Sequence, residues 1–180
     1  ARALFYTFSD DAARAKTAGA ATKELGLRAA AEVAAARRAE APALALGLRY
    51  TILKGDAAGR YAEVAPDSVF QRGDSLRLSV EANHGGALQL LAQDPAGAWH
   101  VVQQATLVPR SPQILPPEDA PALSGVERLR LVFLAASQEL RFRDQRASAP
   151  VVQRVPEEKA IYAVSQASGP LSVDIELRRQ

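Results

Sequence analysis

The stretch that decides the fold is Val69-Phe70-Gln71-Arg72-Gly73-Asp74-Ser75-Leu76-Arg77-Leu78-Ser79-Val80-Glu81. A Gly-Asp turn precedes a predicted strand in which apolar and polar residues alternate strictly. Leu76, Leu78 and Val80 point to one side, and the polar residues between them point to the other. Half-buried strands of this kind are typical of antiparallel sheets. An aspartate after a turn glycine usually bonds its own backbone, so we expect that role for Asp74 rather than a catalytic one.

Short strands continue through the rest of the chain, separated by turn signals at about 10-residue spacing, which is typical of a sandwich or barrel. We predict them at 44–52, 60–64, 75–82, 87–93, 98–103, 127–135, 160–165 and 171–177, with the last two forming a pair. Residues 105–125 contain five prolines and predict a crossing loop without ladder hydrogen bonds. The predicted fold is therefore mainly β: an antiparallel β-sandwich domain, immunoglobulin-like or jelly-roll-like, over 43–180.

Residues 1–42 are predicted to form a separate N-terminal part. A short strand at 3–8 is followed by an alanine-rich helical arm or linker. Because an isolated strand leaves its N–H and C=O groups unpaired, the strand at 3–8 needs a partner. It pairs either with its own sandwich or, as an added strand, with the sheet edge of a neighbouring subunit. The candidate interaction residues of this strand are Leu4, Phe5, Tyr6 and Phe8.

Composition excludes several classes of protein. The 180 residues suit one domain, and 22 basic against 20 acidic residues leave a net charge of only +2. Because the two signs are interleaved, we predict a solvated outer face and no nucleic-acid partner. The absence of cysteine excludes disulfides, thiolate zinc sites and cysteine nucleophiles. No apolar run reaches about 18 residues, so we predict no integral membrane segment. The arginines assigned to the solvated face are Arg72, Arg77, Arg128, Arg130, Arg141 and Arg143.

No motif in the sequence carries a recognisable reaction. A metal site would need His84 and His100 together with a carboxylate such as Asp74 or Glu81, and nothing in their spacing brings them together. A Gly-x-Ser-x-Gly elbow and a phosphate-binding glycine loop are both missing. We therefore predict no metal, no cofactor and no enzymatic activity, with a hydrolase site assembled from distant residues as the remote alternative.

Trp99 is the only tryptophan. It is either a core side chain whose N–H bonds a carbonyl or an exposed platform for a ligand or partner. In the second case, Trp99, His100 and the proline-rich loop would form a binding surface for a glycan or peptide.

The residues also resemble a known family. The shared features are Leu48-Arg49-Tyr50, the Phe-x-x-Gly-Asp turn of 69–78, the turn 83–86 with Leu88, Gly97-Ala98-Trp99 and Gly125-Val126-Glu127-Arg128-Leu129. Over about 45–136 they are similar to the bacterial domain of unknown function 4384. The sequence departs from it at Ala87, where the family usually has an aromatic residue, and at 107–109. The resemblance implies an exported, envelope-associated, β-rich accessory module and supplies no catalytic residues.

Taken together, these observations predict a non-enzymatic, exported structural or protein-interaction module, periplasmic, at the cell surface or extracellular. It would act as a subunit of a larger assembly, with protein partners or self-assembly through the strand at 3–8. The alternative function is a ligand-binding β-sandwich module. The alternative location is the cytoplasm, with an initiator methionine trimmed ahead of Ala1.

Overall fold

The computed structural model describes residues 1–6, 45–136, 150–165 and 169–180. These residues form twelve strands, a helical turn over residues 2–6 and one 3-10 helix, Pro156–Glu158. The strands are β1 Leu46–Gly55, β2 Tyr61–Val64, β3 Val69–Phe70, β4 Leu76–Ala82, β5 Gly86–Gln93, β6 Trp99–Leu107, β7 Gln113–Leu115, β8 Arg128–Ala135, β9 Val151–Val155, β10 Ala160–Ser165, β11 Leu171–Glu176 and β12 Arg178–Arg179.

Two antiparallel sheets form the domain. The six-stranded sheet has the order β7-β4-β1-β10-β9, with β2 paired to the end of β1, and the four-stranded sheet has the order β11-β8-β5-β6. The short strands β12 and β3 form a separate parallel pair. The predicted mainly β, antiparallel sandwich is confirmed.

The core lies between the two sheets and contains the side chains that alternation points inward. Leu76, Leu78 and Val80 of β4 are buried in the same cluster as Leu131 and Phe133 of β8, from the opposite sheet. The strand predicted at 171–177 alternates in the same way, since Leu171, Val173, Ile175 and Leu177 all belong to this cluster. Because every second side chain of these strands is apolar and faces the same way, the two sheets bury their apolar faces against each other.

The turn 83–86 connects the two sheets rather than two paired strands, since β4 belongs to the six-stranded sheet and β5 to the four-stranded sheet. Gly86 makes this crossing possible. A Cβ at Gly86 would lie 2.1 Å from the carbonyl oxygen of Leu134 and 2.8 Å from Cα of Ala135. Only a residue without a side chain lets β5 approach β8 so closely.

The predicted pairing of the last two strands is wrong. β10 pairs with β1 and β9, whereas β11 pairs with β8 in the other sheet. Every residue of β10 is buried, which is the pattern of a strand covered on both faces. The proline-rich stretch also differs from the prediction, because β7 lies within it and pairs with β4.

The N-terminal residues do not form the predicted strand: residues 2–6 are helical, and the N–H of Phe5 donates to the carbonyl of Ala1 at 2.8 Å. They lie on the face of the six-stranded sheet, where the sheet's backbone groups already bond one another. A segment on a sheet face must satisfy its own backbone, which a helical turn does. The predicted helical arm falls on residues outside the described ranges.

Candidate interaction site

The N-terminal segment, residues 1–6, anchors to the outer face of the six-stranded sheet through Phe5. The Phe5 side chain is 0% exposed. It belongs to a hydrophobic cluster separate from the main core, formed with Ala45, Ala160, Tyr162 and Val164. The rings of Phe5 and Tyr162 meet edge to face, with centroids 5.6 Å apart. The sheet therefore carries a pocket for one aromatic side chain on the side away from the main core.

Gly47 forms the floor of this pocket. A Cβ at Gly47 would lie 2.8 Å from Cδ2 of Phe5, so the ring occupies the space that a side chain would fill. The Asn83 side chain fixes the backbone from Ala45 to Gly47: its Oδ1 accepts from the N–H of Gly47 at 2.7 Å, and its Nδ2 donates to the carbonyl of Ala45 at 2.9 Å. We call the site formed by Ala45, Gly47, Ala160, Tyr162 and Val164 the Phe5 pocket.

Polar contacts surround the Phe5 pocket. The Tyr162 hydroxyl donates to Glu158 Oε2 at 2.5 Å and lies 3.3 Å from the Tyr6 hydroxyl. The guanidinium of Arg2 pairs with Glu158 at 2.5 Å. Burial, together with the hydrogen bonds to Glu158 and Tyr6, raises the pKa of Tyr162 to about 12. The Tyr162 hydroxyl is therefore protonated at physiological pH and donates to Glu158.

Two further contacts fix the ends of the segment. The backbone nitrogens of Ala1 and Arg2 donate to Gln153 Oε1 at 3.2 and 3.0 Å. At the other end, the Arg110 guanidinium donates to the carbonyl of Tyr6 at 3.2 Å and lies over the Tyr6 ring, 5.0 Å from its centroid. Hydrogen bonds and cation–π contact thus hold a helical turn that is too short to be stable alone.

The structure places the predicted interaction residues differently from expectation. Phe5 is buried, Leu4 packs partly buried against its cluster, and Tyr6 is 39% exposed. Phe8 lies outside the described residues. Tyr162, Glu158 and Gly47 also belong to the site and were not predicted from the sequence. A glycine inside an alternating strand is a known sign of close approach by another group, so Gly47 carried a usable signal.

Trp99 lies apart from this site, on the outer face of the four-stranded sheet. It is half-buried and belongs to neither hydrophobic cluster, so the interpretation as a core side chain is wrong. Arg130 stacks on its ring, 4.3 Å from the centroid, and Arg130 Nε donates to Asp174 at 2.5 Å. Val101, two residues along the same edge strand, is 47% exposed. His100 is exposed.

Arg77 corrects the prediction of a fully solvated arginine face, because it is only 5% exposed. Its guanidinium donates to carbonyls of the proline-rich loop: Pro116 at 2.5 Å, Ala120 at 3.0 Å, Glu118 at 3.3 Å, and Pro117. The Tyr61 ring covers it, with its centroid 4.9 Å away. An open groove of about 690 Å³ runs beside Arg77. The guanidinium is already hydrogen-bonded to the carbonyls of the loop. Arg77 therefore fixes the loop.

The groups proposed for chemistry do not assemble into a site. Within the ranges that the structure describes, no three His, Cys, Asp or Glu side chains lie close enough together to hold a metal ion. His84 is half-buried with a lowered pKa, caused by burial. Asp74 Oδ2 accepts from the N–H of Gln71 at 2.8 Å and pairs with Lys54 at 2.6 Å, which confirms its structural role in the turn.

In the same described ranges, no helix combines the length and hydrophobicity needed to cross a bilayer. Comparison of the chain with family models, with curated proteins and with solved structures gives no match. The resemblance to domain of unknown function 4384 therefore stays a prediction. The candidate site rests on its geometry alone: a sheet face that holds an aromatic side chain supplied by a distant part of the sequence.

Proposed function

We propose that this chain is a non-enzymatic protein-interaction module, exported to the cell envelope or beyond, whose Phe5 pocket binds a short aromatic-bearing segment. One observation carries the proposal: Phe5 is completely buried in a pocket formed by residues at least 40 positions away in the sequence. The exported location rests on the family resemblance. Fractionation of cells that produce the tagged chain, with the protein found outside the cytoplasm, tests it.

The contacts suit recognition of a segment rather than chemistry on it. Burial of a phenylalanine side chain contributes about 1.5–3 kcal/mol. Each of the surrounding hydrogen bonds adds about 0.5–1.5 kcal/mol. Ordering of the six residues offsets most of this gain, so we expect weak binding, with a Kd on the order of 1 mM, which corresponds to about 4 kcal/mol. That strength is sufficient for a tethered segment, whose effective concentration is itself on the order of millimolar.

A peptide-binding measurement tests this function. The full chain carrying Phe5→Ala has an unfilled pocket, and a fluorescent peptide with the sequence of residues 1–8 is titrated into it. We expect saturable anisotropy with a Kd of about 1 mM or below, and weaker binding to the unmodified chain, where the tethered segment competes. The matched control peptide carries alanine in place of its phenylalanine at position 5. Equal binding of both peptides, or no binding at several millimolar, contradicts the proposal.

A second function, ligand binding at Trp99, is favoured by the position of that ring outside both hydrophobic clusters. The ring and Val101 offer apolar surface beside the polar Arg130–Asp174 pair. Because Trp99 is the only tryptophan, its fluorescence reports directly on this surface. A glycan array with the unmodified chain and Trp99→Ala tests it: hits that disappear in the variant support a glycan-binding module, and an array without hits counts against it.

A further inference from the structure

We infer that a pocket beside Trp99 binds an uncharged saccharide, with the indole ring as an aromatic surface at the edge of the pocket. The pocket has a volume of about 390 Å³. It lies between residues 93–97, which lead from β5 towards β6, and residues 125–128, which lead into β8. We call it the turn pocket. The inference rests on ligand binding at Trp99, the second function proposed above, and adds the place and the chemical class of the ligand.

Strand register places Trp99 at the edge of the turn pocket. Gln93 lines the pocket and is the partner of Trp99 across the β5–β6 pair. The side chains of such partners lie on the same face of the sheet, with Cβ atoms about 4.5–5.5 Å apart. Trp99 keeps part of its surface exposed although Arg130 stacks on its ring. Val101, two residues further along β6, is 47% exposed. The pocket therefore continues onto a surface that is apolar and partly aromatic.

One wall of the turn pocket is a turn fixed by its own hydrogen bonds. The N–H of Asp94 donates to the carbonyl of Ala98 at 2.9 Å, and Asp94 Oδ1 accepts from the N–H of Ala98 at 2.8 Å. The N–H of Gly97 donates to the carbonyl of Asp94 at 3.0 Å, and the Gln93 side chain donates to the carbonyl of Gly97 at 2.9 Å. Because these bonds exist before a ligand arrives, binding costs little ordering of the protein on this side.

The lining of the turn pocket offers both acceptors and donors. The exposed Glu127 carboxylate supplies acceptors, and no cation among the described residues pairs with it. The Arg128 guanidinium supplies donors, since its 3.3 Å ion pair with Glu176 joins two side chains that are more than half exposed. A sugar hydroxyl both donates and accepts, as a serine hydroxyl does. The C–H groups of a sugar ring pack on an aromatic surface. A saccharide therefore matches the turn pocket together with Trp99.

The charges around the turn pocket favour an uncharged ligand. A carboxylate, sulfate or phosphate would meet two carboxylates in the lining, those of Asp94 and Glu127, against the single guanidinium of Arg128. Arg130 is not free for an anion, because Asp174 accepts from its Nε and Nη2 at 2.5 and 3.0 Å. A cation would meet Arg128 in the lining and Arg130 on the indole. Because like charges repel, a ligand of either sign loses binding energy that an uncharged ligand keeps.

Calorimetric titration of the full chain with a set of hexasaccharides tests the inference. Cellohexaose, chitohexaose and maltohexaose are uncharged, the galacturonate hexamer is anionic, and the glucosamine hexamer is cationic. The fluorescence of Trp99, the only tryptophan, reports independently on binding at this surface. We expect at least one uncharged hexasaccharide to bind about tenfold more tightly than either charged one. The same hexasaccharide should change the Trp99 emission saturably.

Variants separate the turn pocket from the rest of the surface, and circular dichroism checks that each is folded. Glu127→Ala and Trp99→Ala should each weaken binding about tenfold, whereas Trp99→Phe keeps an aromatic ring and should retain most of it. Glu127→Gln removes a negative charge and keeps an acceptor, so it should bind the galacturonate hexamer several-fold more tightly than the unmodified chain. The control, Glu157→Ala, removes an exposed carboxylate from the 3-10 helix and should change each affinity by less than about twofold.

The outcomes separate the inference from the function on which it rests. Tighter binding of a charged hexasaccharide, lost in Trp99→Ala, overturns the inference while ligand binding at Trp99 stands. Binding of an uncharged hexasaccharide that Glu127→Ala leaves unchanged overturns the assignment to the turn pocket in the same way. No saturable binding of any uncharged hexasaccharide at several millimolar overturns the inference, and a glycan array without hits overturns the second function as well.

Discussion

The Phe5 ring occupies the space left by the missing side chain of Gly47, with a prospective Cβ only 2.8 Å from Cδ2 of the ring. The two residues lie more than 40 positions apart in the sequence, in the N-terminal segment and in β1. A glycine that weakens a central strand is therefore offset by the aromatic side chain that packs on it.

The first prediction concerns this pair. Gly47→Ala forces Phe5 out of place and should lower the free energy of unfolding by about 1–3 kcal/mol. In the Phe5→Ala background the same change should cost little or stabilise the strand by about 0.5 kcal/mol, since alanine loses less conformational entropy than glycine. Urea unfolding of the four chains gives the coupling free energy. Equal effects of Gly47→Ala in both backgrounds would show that the two positions do not interact.

Arg77 should contribute far more to the free energy of unfolding than the exposed arginines do. Arg77→Met leaves the carbonyls of the proline-rich loop without their donor, and we expect a loss of about 2–4 kcal/mol. Arg77→Lys should recover only part of it, because an ammonium lacks the fork that reaches several carbonyls. The control, Arg128→Met, removes an exposed ion pair with Glu176 and should change stability by less than about 1 kcal/mol. Chemical denaturation measures all three, and a similar loss for Arg77→Met and Arg128→Met contradicts the role of Arg77.

Gly86 should tolerate no side chain. Gly86→Ala places a Cβ against the backbone of β8, which cannot move without breaking the sheet, so we expect a loss of at least about 3 kcal/mol. Gly73→Ala is the matched control, because a Cβ there meets no atom within 4 Å. It should change stability by less than about 0.5 kcal/mol. Thermal unfolding followed by circular dichroism compares the two, and a tolerant Gly86 would mean that β5 and β8 lie further apart.

Tyr162 should make the fold sensitive to alkali. Its folded-state pKa of about 12 lies above the ordinary tyrosine value of about 10, so the unfolded chain loses this proton first. The contribution of the neutral phenol is complete below about pH 10 and is lost as pH rises through about 12. Urea unfolding between pH 8 and pH 11.5 should therefore show a steeper decline for the unmodified chain than for Tyr162→Phe. Tyr61→Phe keeps the Tyr162 phenol and should follow the unmodified chain; an unchanged slope in Tyr162→Phe rejects the assignment.

Arg130 should protect Trp99. Arg130→Ala uncovers one face of the indole, so quenching of the single tryptophan by acrylamide should increase. A double-mutant cycle with Trp99→Leu should give a coupling of about 0.5–1 kcal/mol. Arg128→Ala, on the same strand, is the control and should leave quenching unchanged. Identical quenching in both arginine variants would mean that Arg130 does not cover the ring in solution.

The strands themselves could be predicted because alternation is local. Leu76, Leu78 and Val80 point inward for the same reason in sequence and in structure: successive side chains of an extended chain face opposite sides. The turn at Asp74 was equally accessible, since its hydrogen bond to the Gln71 N–H spans only three residues. Which strands pair with each other could not be predicted from local sequence in this way. β10 and β11 both have apolar faces, and nothing local shows that they belong to different sheets.

The wrong predictions concern residues whose surroundings are formed by parts of the chain that are distant in the sequence. Arg77 sits among polar strand positions and is buried only because the proline-rich loop lies over it. Trp99 is large and apolar, which favours a core position, but it lies on the outer face because its position on β6 is set by the pairing with β5. The aromatic residues Phe5 and Tyr6 favour a strand by propensity. They form a helical turn because the sheet face beneath them leaves no backbone partner.

By itself, the sequence determined a two-layer antiparallel sandwich, because an apolar side chain at every second position must be covered by another layer. Only the tertiary structure decided that residues 1–6 pack on the outside of that sandwich, with Phe5 above Gly47 and beside Tyr162. The physical reason is the distance along the sequence over which each feature is set. The side of a strand to which a residue points depends on its immediate neighbours, whereas a pocket is formed by side chains that only the completed fold brings together.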